Sequence, residues 1–360
     1  MTYHTQSFVK RQGIVLSPEQ CPYDSALTFN AGVIREGKGY RMLFRNDYGF
    51  CRRDFDDFYN GVADNTVPKT DIGIAVSEDG MRWSVEPGQA LSWSDEDFSR
   101  IYDPRLVKLE DGRVAMTFAL DSAFGTRCGT AITVDFSTFE ILDITVPENR
   151  NIVLFPNRVN GLWMRLERPF AATPGRHSGI WINESPDLVH WGRPTLLLSV
   201  DDVAFSNEKL GPAVPPLLTE AGWLVLFHAV EECDRPFRAW ERNWRRRYHC
   251  GAMLLDAENP RVIRGLAETP LMVPETDYEL DGFRGGVIFP GAMIPEADGS
   301  VKIYYGAADT CECLATAPLS ELIAFCQAGA RLPEKRFPRR LLPVSAPPKK
   351  PSEKGTSKFV

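Results

Sequence analysis

Gly222-Trp223-Leu224-Val225-Leu226-Phe227-His228 begins with a turn glycine and continues as a strand-like run of apolar residues. The same pattern recurs four times, at residues 39–45, 112–118, 161–168 and 299–305. Each copy is typical of a hairpin turn that leads into a β-strand with two-residue periodicity. The spacing of the copies, roughly 50 to 77 residues, suits one four-stranded blade per copy with loops of variable length.

Five copies predict an all-β fold, a five-bladed β-propeller. A shorter recurrence supports this, because residues 77–83 (SEDGMRW) resemble residues 185–191 (SPDLVHW), and both are typical of tight turns between outer strands. A β-sandwich followed by another β domain is the alternative, but it would not explain why the copies span the whole chain. One helix is predicted, from a cap at Ser320 to about Gly329.

The sequence predicts one propeller domain at residues 1–330 and a basic tail at 331–360, with extended terminal segments. The tail holds nine Lys/Arg and two Asp/Glu, a charge of +7, so the chain's net −7 leaves the first 330 residues at −14. An acidic body argues against nucleic acid as a partner. The Pro- and Lys-rich tail is expected to be disordered or to pack on a neighbouring subunit.

Apolar runs are only strand-sized, so no membrane span is expected. No basic stretch followed by an apolar one opens the chain, so we expect no secretion signal. Eight cysteines without a pairing pattern indicate reduced thiols of a cytoplasmic protein. Cys311 and Cys313 flank Glu312, but a zinc site would need two more ligands nearby, and none is expected.

The chemistry is predicted to centre on Asp103, within Ile101-Tyr102-Asp103-Pro104-Arg105-Leu106. The proline favours an extended conformation at Asp103 and removes one backbone donor. We therefore expect this carboxylate to lie at the end of a strand. The simpler interpretation is a turn formed by an Asp-Pro pair.

Polar residues at strand ends would meet in one funnel, because propeller strands converge on a common axis. Copies of the repeat end in, or soon reach, Arg45, Arg168, His228 and Asp309. Arg168, Lys209 and His228, with Arg150 and Tyr248, offer donors suited to an anion of phosphate size. A surface ion pair is the alternative for any one of them.

Aromatic residues near these positions suggest a sugar ligand. Tyr102, Trp240, Trp244 and Tyr305 offer flat faces to the C–H side of a pyranose, although aromatic residues also fill blade cores.

The number of carboxylates then separates two reactions. Hydrolysis with inversion needs an acid and a base, whereas phosphorolysis needs one acid because phosphate is itself the nucleophile. One well-placed Asp beside a basic cluster favours phosphorolysis. Burial should raise the pKa of that acid, and neighbouring cations should oppose the rise.

Several segments resemble glycoside hydrolase family 130. They are Phe29-Asn30-Ala31-Gly32, residues 44–49, 102–105, 154–156, 168–169, 209–212, 215–216, 222–224 with His228, 289–291 and 304–310. The resemblance covers about residues 25 to 326 and implies a five-bladed propeller that phosphorolyses β-mannosides, with inversion, to α-mannose 1-phosphate.

The resemblance also implies residue roles. Asp103 resembles the general acid, which in the family is thought to deliver its proton through the mannose 3-hydroxyl. The phosphate-binding set would be Arg150, Arg168, Lys209, His228 and Tyr248, and the substrate-binding set Asn30, Arg45, Asn46, Asp47, Tyr102 and Asp309.

The substrate implied is 4-O-β-D-mannosyl-D-glucose, from residues 45–49 and 248–256. Phosphorylases of β-1,4-mannooligosaccharides or of mannosyl-N-acetylglucosamine are the alternatives. Residues 50–60 match no family segment and could shape the acceptor side.

Two other functions remain open from the residues. One is a β-mannoside hydrolase of the same fold, with Glu167 or Glu231 activating water, and the other is a sugar-binding propeller without catalysis. No cofactor or metal is expected, because phosphate is a co-substrate and phosphorolysis needs no other group. The resemblance further implies a homo-oligomer, with a hexamer as one candidate.

Overall fold

Five antiparallel sheets follow one another along the chain and surround a common axis. The structure is a computed structural model, and it describes residues 3–49, 69–170, 178–234 and 244–334. The predicted all-β, five-bladed propeller is confirmed. Residues 50–60 and Trp240 lie outside the described residues, as do 335–360 of the predicted tail.

Each blade has the same strand order, from the axis outward. The innermost strands are β2 (Leu27–Glu36), β6 (Phe98–Lys108), β10 (Asn149–Leu154), β14 (Lys209–Pro212) with β15 (Leu217–Thr219), and β19 (Ile288–Pro295). The second strands are β3 (Gly39–Tyr48), β7 (Val114–Ser122), β11 (Trp163–Pro169), β16 (Gly222–Glu232) and β20 (Ser300–Ala307). The third strands are β4 (Lys69–Ser77), β8 (Gly125–Thr133), β12 (Ile180–Ser185), β17 (Arg246–Leu255) and β21 (Cys311–Pro318). The outer strands are β5 (Ser84–Leu91), β9 (Glu140–Ile144), β13 (Gly192–Leu198), β18 (Ile263–Leu266) with β22 (Ala330–Leu332), and β1 (Lys10–Leu16).

The glycine-led repeat forms the second strand of every blade. Four of its five glycines have positive φ, namely Gly112 (+89°), Gly161 (+79°), Gly222 (+122°) and Gly299 (+81°). Glycine adopts this conformation without the steric cost that a Cβ would bring, which explains its place at these turns. The repeat therefore located every blade, although it lies one strand out from the axis.

The predicted turns at 77–83 and 185–191 are also confirmed, and they join the third and outer strands of their blades. In each turn the first hydroxyl accepts the N–H three residues on, at 2.8 Å for Ser77 and 2.9 Å for Ser185. A third such turn, not predicted from the sequence, begins at Thr133, whose hydroxyl accepts the N–H of Phe136 at 2.9 Å.

The ring closes in the fifth blade, where the N-terminal strand β1 pairs with β21 and completes the sheet formed by β19, β20 and β21. The predicted helix is confirmed as α2 (Leu319–Gln327), but its N-cap is Pro318, so Ser320 does not cap it. A one-turn helix, α1 (Asp277–Leu280), was not predicted. The boundary predicted at residue 331 falls inside β22. Among the described residues no helix is long and apolar enough to cross a membrane.

Innermost strands approach each other through their backbones near the axis. A Cβ on Gly32 would lie 2.7 Å from the backbone N of Leu106, and one on Gly291 only 2.0 Å from the carbonyl of Ala31. Glycine is required at both positions, because real Cβ contacts are not this short. This contact brings polar residues of neighbouring blades within hydrogen-bonding distance.

Candidate active site

A cavity of about 630 Å³ is lined by residues from all five sheets. Nine of the twelve predicted site residues line it: Asn30, Arg45, Asp47, Asp103, Arg150, Arg168, Lys209, Tyr248 and Asp309. Asn46, Tyr102 and His228 are not among the lining residues and lie behind them. The innermost strands and the ends of the second strands thus form one shared hollow.

Asp103 lies within β6 at a bulge, where the pairing with β7 shifts between Tyr102 and Arg105. Its φ is +54°, so the expected extended conformation and strand-end position are both wrong. Asn30 in β2 and Asn151 in β10 occupy similar bulges with φ of +53° and +60°. Asn and Asp tolerate this region better than other residues with a side chain, and each bulge turns one polar residue out of the strand's alternation.

The Asp103 carboxylate is buried among donors. Oδ1 accepts a hydrogen bond of 2.9 Å from Asn30 and lies 3.4 Å from Nη1 of Arg45, while Oδ2 lies 3.0 Å from Nη2 of Arg150. Burial alone would raise the pKa of Asp103, but the charges of Arg150, Arg45 and Arg105 outweigh it. The pKa is therefore below its ordinary value and Asp103 is ionised at neutral pH, so the cations outweigh burial in the balance that the sequence left open.

Arg168 and Lys209 form the cationic side of the cavity. Arg168 is buried, and among the described residues it forms no ion pair with a carboxylate, while its Nε has no hydrogen-bond partner. Burial and the nearby charge of Arg150 lower its pKa to about 10, so it remains a cation at neutral pH. Lys209 Nζ lies 3.3 Å from Glu208 and 5.5 Å from the ring centre of Tyr248. Among the described residues these two cations have one carboxylate within ion-pair distance, Glu208, so this side of the cavity carries positive charge that suits an incoming anion.

His228 is fully buried behind Arg168. Its Nε2 lies 3.3 Å from Nη1 of Arg168, and its ring stacks on Tyr248 at 6.1 Å between centroids. Burial and the charges of Arg168 and Lys209 hold the pKa of His228 well below its ordinary value. The ring is therefore neutral, and Nε2 can accept the hydrogen bond of the guanidinium.

The guanidinium of Arg45 is held in place by neighbouring polar side chains. Asp47 accepts two bonds from Arg45, at 2.8 and 2.6 Å, and a third from Thr70 at 2.7 Å. Asn46 is buried and donates to Asp71 at 3.2 Å. These contacts fix the guanidinium that faces Asp103.

Two of the predicted sugar-facing aromatic residues are buried instead. Tyr102 donates to Asp121 at 2.6 Å and is surrounded by the guanidinium carbons of three arginines (Arg45, Arg100 and Arg150), 4.7–5.0 Å from its ring centre. Tyr305 belongs to a core cluster and donates to Glu279 at 2.9 Å. Trp244 does line the cavity and stacks on Tyr248 at 6.0 Å with planes 9° apart.

Sequence reasoning missed several lining residues, among them Arg100, Phe170, Arg246, Phe283 and Arg284. Arg284 lies 3.6 Å from Asp309 and 4.4 Å from the ring centre of Trp244. The signal that could have found it is the glycine-rich loop at 282–286, which places an aromatic and a cation between small residues.

The carboxylates proposed for hydrolysis lie outside this cavity. Glu167 is buried and accepts hydrogen bonds from Asn149 (3.2 Å), Asn183 (2.6 Å) and Arg165 (3.0 Å). Glu231 lines a different cavity and lies 3.4 Å from His249. Cys311 and Cys313 have sulfurs 3.8 Å apart, and the described part of the chain holds no cluster of three His, Cys, Asp or Glu suited to a metal.

The chain is similar in sequence to several mannoside phosphorylases. The chain is 32% identical over 262 residues (72% of this chain, 70% of the relative) to the beta-1,2-mannobiose phosphorylase of Listeria innocua. It is 29% identical to the beta-1,4-mannooligosaccharide phosphorylase of Ruminococcus albus, over 74% of this chain and 79% of the relative. It is 28% identical to the 4-O-beta-D-mannosyl-D-glucose phosphorylase of Bacteroides fragilis, over 83% and 75%.

The fold is also that of a solved relative. The structure of the Listeria innocua beta-1,2-mannobiose phosphorylase with beta-1,2-mannobiose aligns with a TM-score of 0.75 at 24% identity, over 89% of this chain and 99% of that one. The family model described as beta-1,4-mannooligosaccharide phosphorylase matches residues 9–328. The chain therefore belongs to glycoside hydrolase family 130, the family of these mannoside phosphorylases.

Proposed function

We propose that this protein phosphorolyses a β-mannoside with inversion and releases α-D-mannose 1-phosphate. The observation that carries the proposal is the shared cavity, in which Asp103 faces Arg150 while Arg168 and Lys209 have more positive charge than the described carboxylates balance. Phosphate is the attacking group, Asp103 is the acid, and no second carboxylate has to activate water.

Arg150 connects the two halves of the reaction. Its guanidinium contacts Oδ2 of Asp103, and its charge is one reason that the pKa of this acid is low. A phosphate dianion bound at Arg150 and Arg168 offsets that charge. The pKa of Asp103 then rises, so that the acid can carry the proton that the departing sugar oxygen needs.

Asn30, Arg45 and Asp309 are proposed to hold the mannose, and Tyr248 the phosphate beside Lys209. His228 acts through Arg168, because it is fully buried behind that guanidinium. Burial raises the pKa of Asp309, although Arg284 lies 3.6 Å away and opposes the rise.

Two lines of support for the acceptor sugar disagree: the local resemblance at residues 45–49 and the overall identity to relatives. The residues at 45–49 resemble the phosphorylases of 4-O-β-D-mannosyl-D-glucose, whereas the relatives with higher identity are named for β-1,2-mannobiose and β-1,4-mannooligosaccharides. We propose a β-linked mannosyl-hexose, with a mannosyl-mannose favoured by identity. We also propose that the protein is cytoplasmic, forms a homo-oligomer and needs no cofactor.

The test is an incubation of 4-O-β-D-mannosyl-D-glucose, β-1,4-mannobiose and β-1,2-mannobiose, each with and without inorganic phosphate. We expect mannose 1-phosphate from at least one disaccharide, only when phosphate is present, and the α-anomer by NMR. Equal release of free mannose in both tubes would support hydrolysis and contradict the proposal. Binding of all three sugars without turnover would support a non-catalytic propeller.

A further inference from the structure

Arg105 is a buried cation that binds backbone carbonyls from four blades. Its Nε donates to the carbonyl of Ala213 at 2.7 Å, and Nη2 lies 3.4 Å from that of Pro290. Its Nη1 donates to the carbonyls of Asn30 (2.9 Å) and Pro104 (2.8 Å). These acceptors belong to β2, β6 and β19 and to the residue that follows β14, so one guanidinium connects the innermost strands.

Two of those carbonyls belong to the bulges that form the acid's surroundings. Pro104 directly follows Asp103, and Asn30 is the residue whose amide donates to Oδ1 of Asp103 at 2.9 Å. A single nitrogen of Arg105 therefore holds both the backbone beside the acid and the backbone of the acid's hydrogen-bond donor. No other described side chain makes both of these contacts.

Both bulges also need external support. Asn30 and Asp103 have φ of +53° and +54°, a region that residues with a Cβ occupy at a cost. Such conformations persist where surrounding contacts over-determine them. The planar fork of an arginine can reach several carbonyls at fixed angles, which the single ammonium of a lysine cannot reproduce.

We propose that Arg105 is the positioning residue of this enzyme's acid, fixing Asp103 and Asn30 relative to each other through their backbone carbonyls. Arg105 is buried and does not line the cavity, so the role proposed for it is indirect. The inference rests on the proposed function for its kinetic consequences, but not for its structural ones.

The variants are Arg105→Lys, which keeps the charge and loses the fork, and Arg105→Gln, which keeps two donors and loses the charge. Arg165→Lys is the matched control, since Arg165 is equally buried but binds Glu167 and Asp143 away from the cavity. Thermal unfolding is measured for all three, together with kcat, KM for phosphate and the pH profile of phosphorolysis.

We expect Arg105→Lys to fold and to lose about 100-fold in kcat, as a misplaced catalytic group does, with KM for phosphate close to the wild-type value. The acidic limb of the pH profile should move, because Asp103 interacts with Arg45, Arg150, Asn30 and Asp309, and a displaced Asp103 changes these interactions. Arg165→Lys should lower the unfolding temperature without moving that limb.

A crystal structure of Arg105→Lys gives a test that does not need activity. Loss of the Asn30–Asp103 hydrogen bond supports the proposal, and an unchanged bond in a folded variant overturns it. Equal kinetic losses in Arg105→Lys and Arg165→Lys also overturn it, as does failure of both Arg105 variants to fold, which would make the residue a structural support only. Wild-type enzyme that forms no mannose 1-phosphate contradicts the proposed function and leaves the crystallographic result to decide on Arg105.

Discussion

Two arginines three residues apart on β11 have opposite surroundings. Arg165 and Arg168 are both buried, with 5% and 4% of their surface exposed. Arg165 lies 3.0 Å from Glu167 and 2.7 Å from Asp143, and Glu167 is further satisfied by two asparagines. Arg168 faces His228 and, among the described residues, has no carboxylate.

This difference separates a structural network from a binding site. A buried charge without a counter-ion is costly, and folding alone gives no reason to keep it. Arg165 belongs to a closed network in which donors meet acceptors within the chain. Arg168 belongs to an open one among the described residues, and under the proposed function phosphate supplies the acceptor that it lacks. Each variant below changes one polar side chain, either in the Arg165 network or at the cavity that Arg168 lines.

The largest expected effect comes from replacing Asp103, the proposed acid, which lines the same cavity as Arg168. Asp103→Asn should lower kcat on the order of 1,000-fold, the usual contribution of a general acid, without unfolding the protein. Glu167→Gln is the matched control, because it makes the same change in the closed network. It should lower thermal stability and keep most of the activity.

Near-normal turnover of Asp103→Asn would remove Asp103 from its role. Loss of activity in a folded Glu167→Gln would return Glu167 to consideration as a catalytic base.

The next effect compares the two arginines directly, with Arg165→Met and Arg168→Met. Arg165→Met should lower the free energy of unfolding by about 3–5 kcal/mol, because it leaves Glu167 and Asp143 buried without their cation. Arg168→Met should leave the free energy of unfolding unchanged or raise it, because no described carboxylate loses a partner. Denaturant titration without phosphate measures both.

Phosphate kinetics should show the reverse order. Arg168→Met should weaken phosphate binding by about 2–4 kcal/mol, the usual cost of removing a buried charged contact. Arg165→Met should leave KM for phosphate nearly unchanged at temperatures where it is folded. A large stability loss in Arg168→Met with unchanged KM would place Arg168 in the structural class.

The sequence predicted the blades better than the conformations at the site. Turn glycines such as Gly222 have a local cause, so their repetition located every second strand. The φ of +54° at Asp103 is not what the neighbouring sequence favours, because the following proline favours an extended conformation, and the Asn30 amide that binds the Asp103 carboxylate comes from another blade.

Residue type alone also did not distinguish buried from cavity-facing aromatic residues. Tyr305 looked suited to a sugar face, yet it lies in the core against Glu279, while Phe283 and Phe170 line the cavity. Which face of a strand or loop meets the axis is set by the assembled ring, so these assignments required the structure.

The smallest expected effect concerns His228, the one described side chain that hydrogen-bonds Arg168. Its pKa is held well below the ordinary value by burial, Arg168 and Lys209, so the folded state binds fewer protons than the unfolded state. The stability that follows is fully present above about pH 6.5, the unfolded pKa, and is lost as pH falls below it, by at most about 1.4 kcal/mol per pH unit.

His228→Gln keeps an acceptor for Arg168 but cannot titrate. Subtracting its unfolding free energy from that of the wild type between pH 7.5 and 5.5 should therefore isolate a loss on the order of 1 kcal/mol. Parallel curves for the two proteins would mean that His228 can take up a proton in the folded state, and a neutral ring could then no longer explain how Arg168 is held ready for an anion.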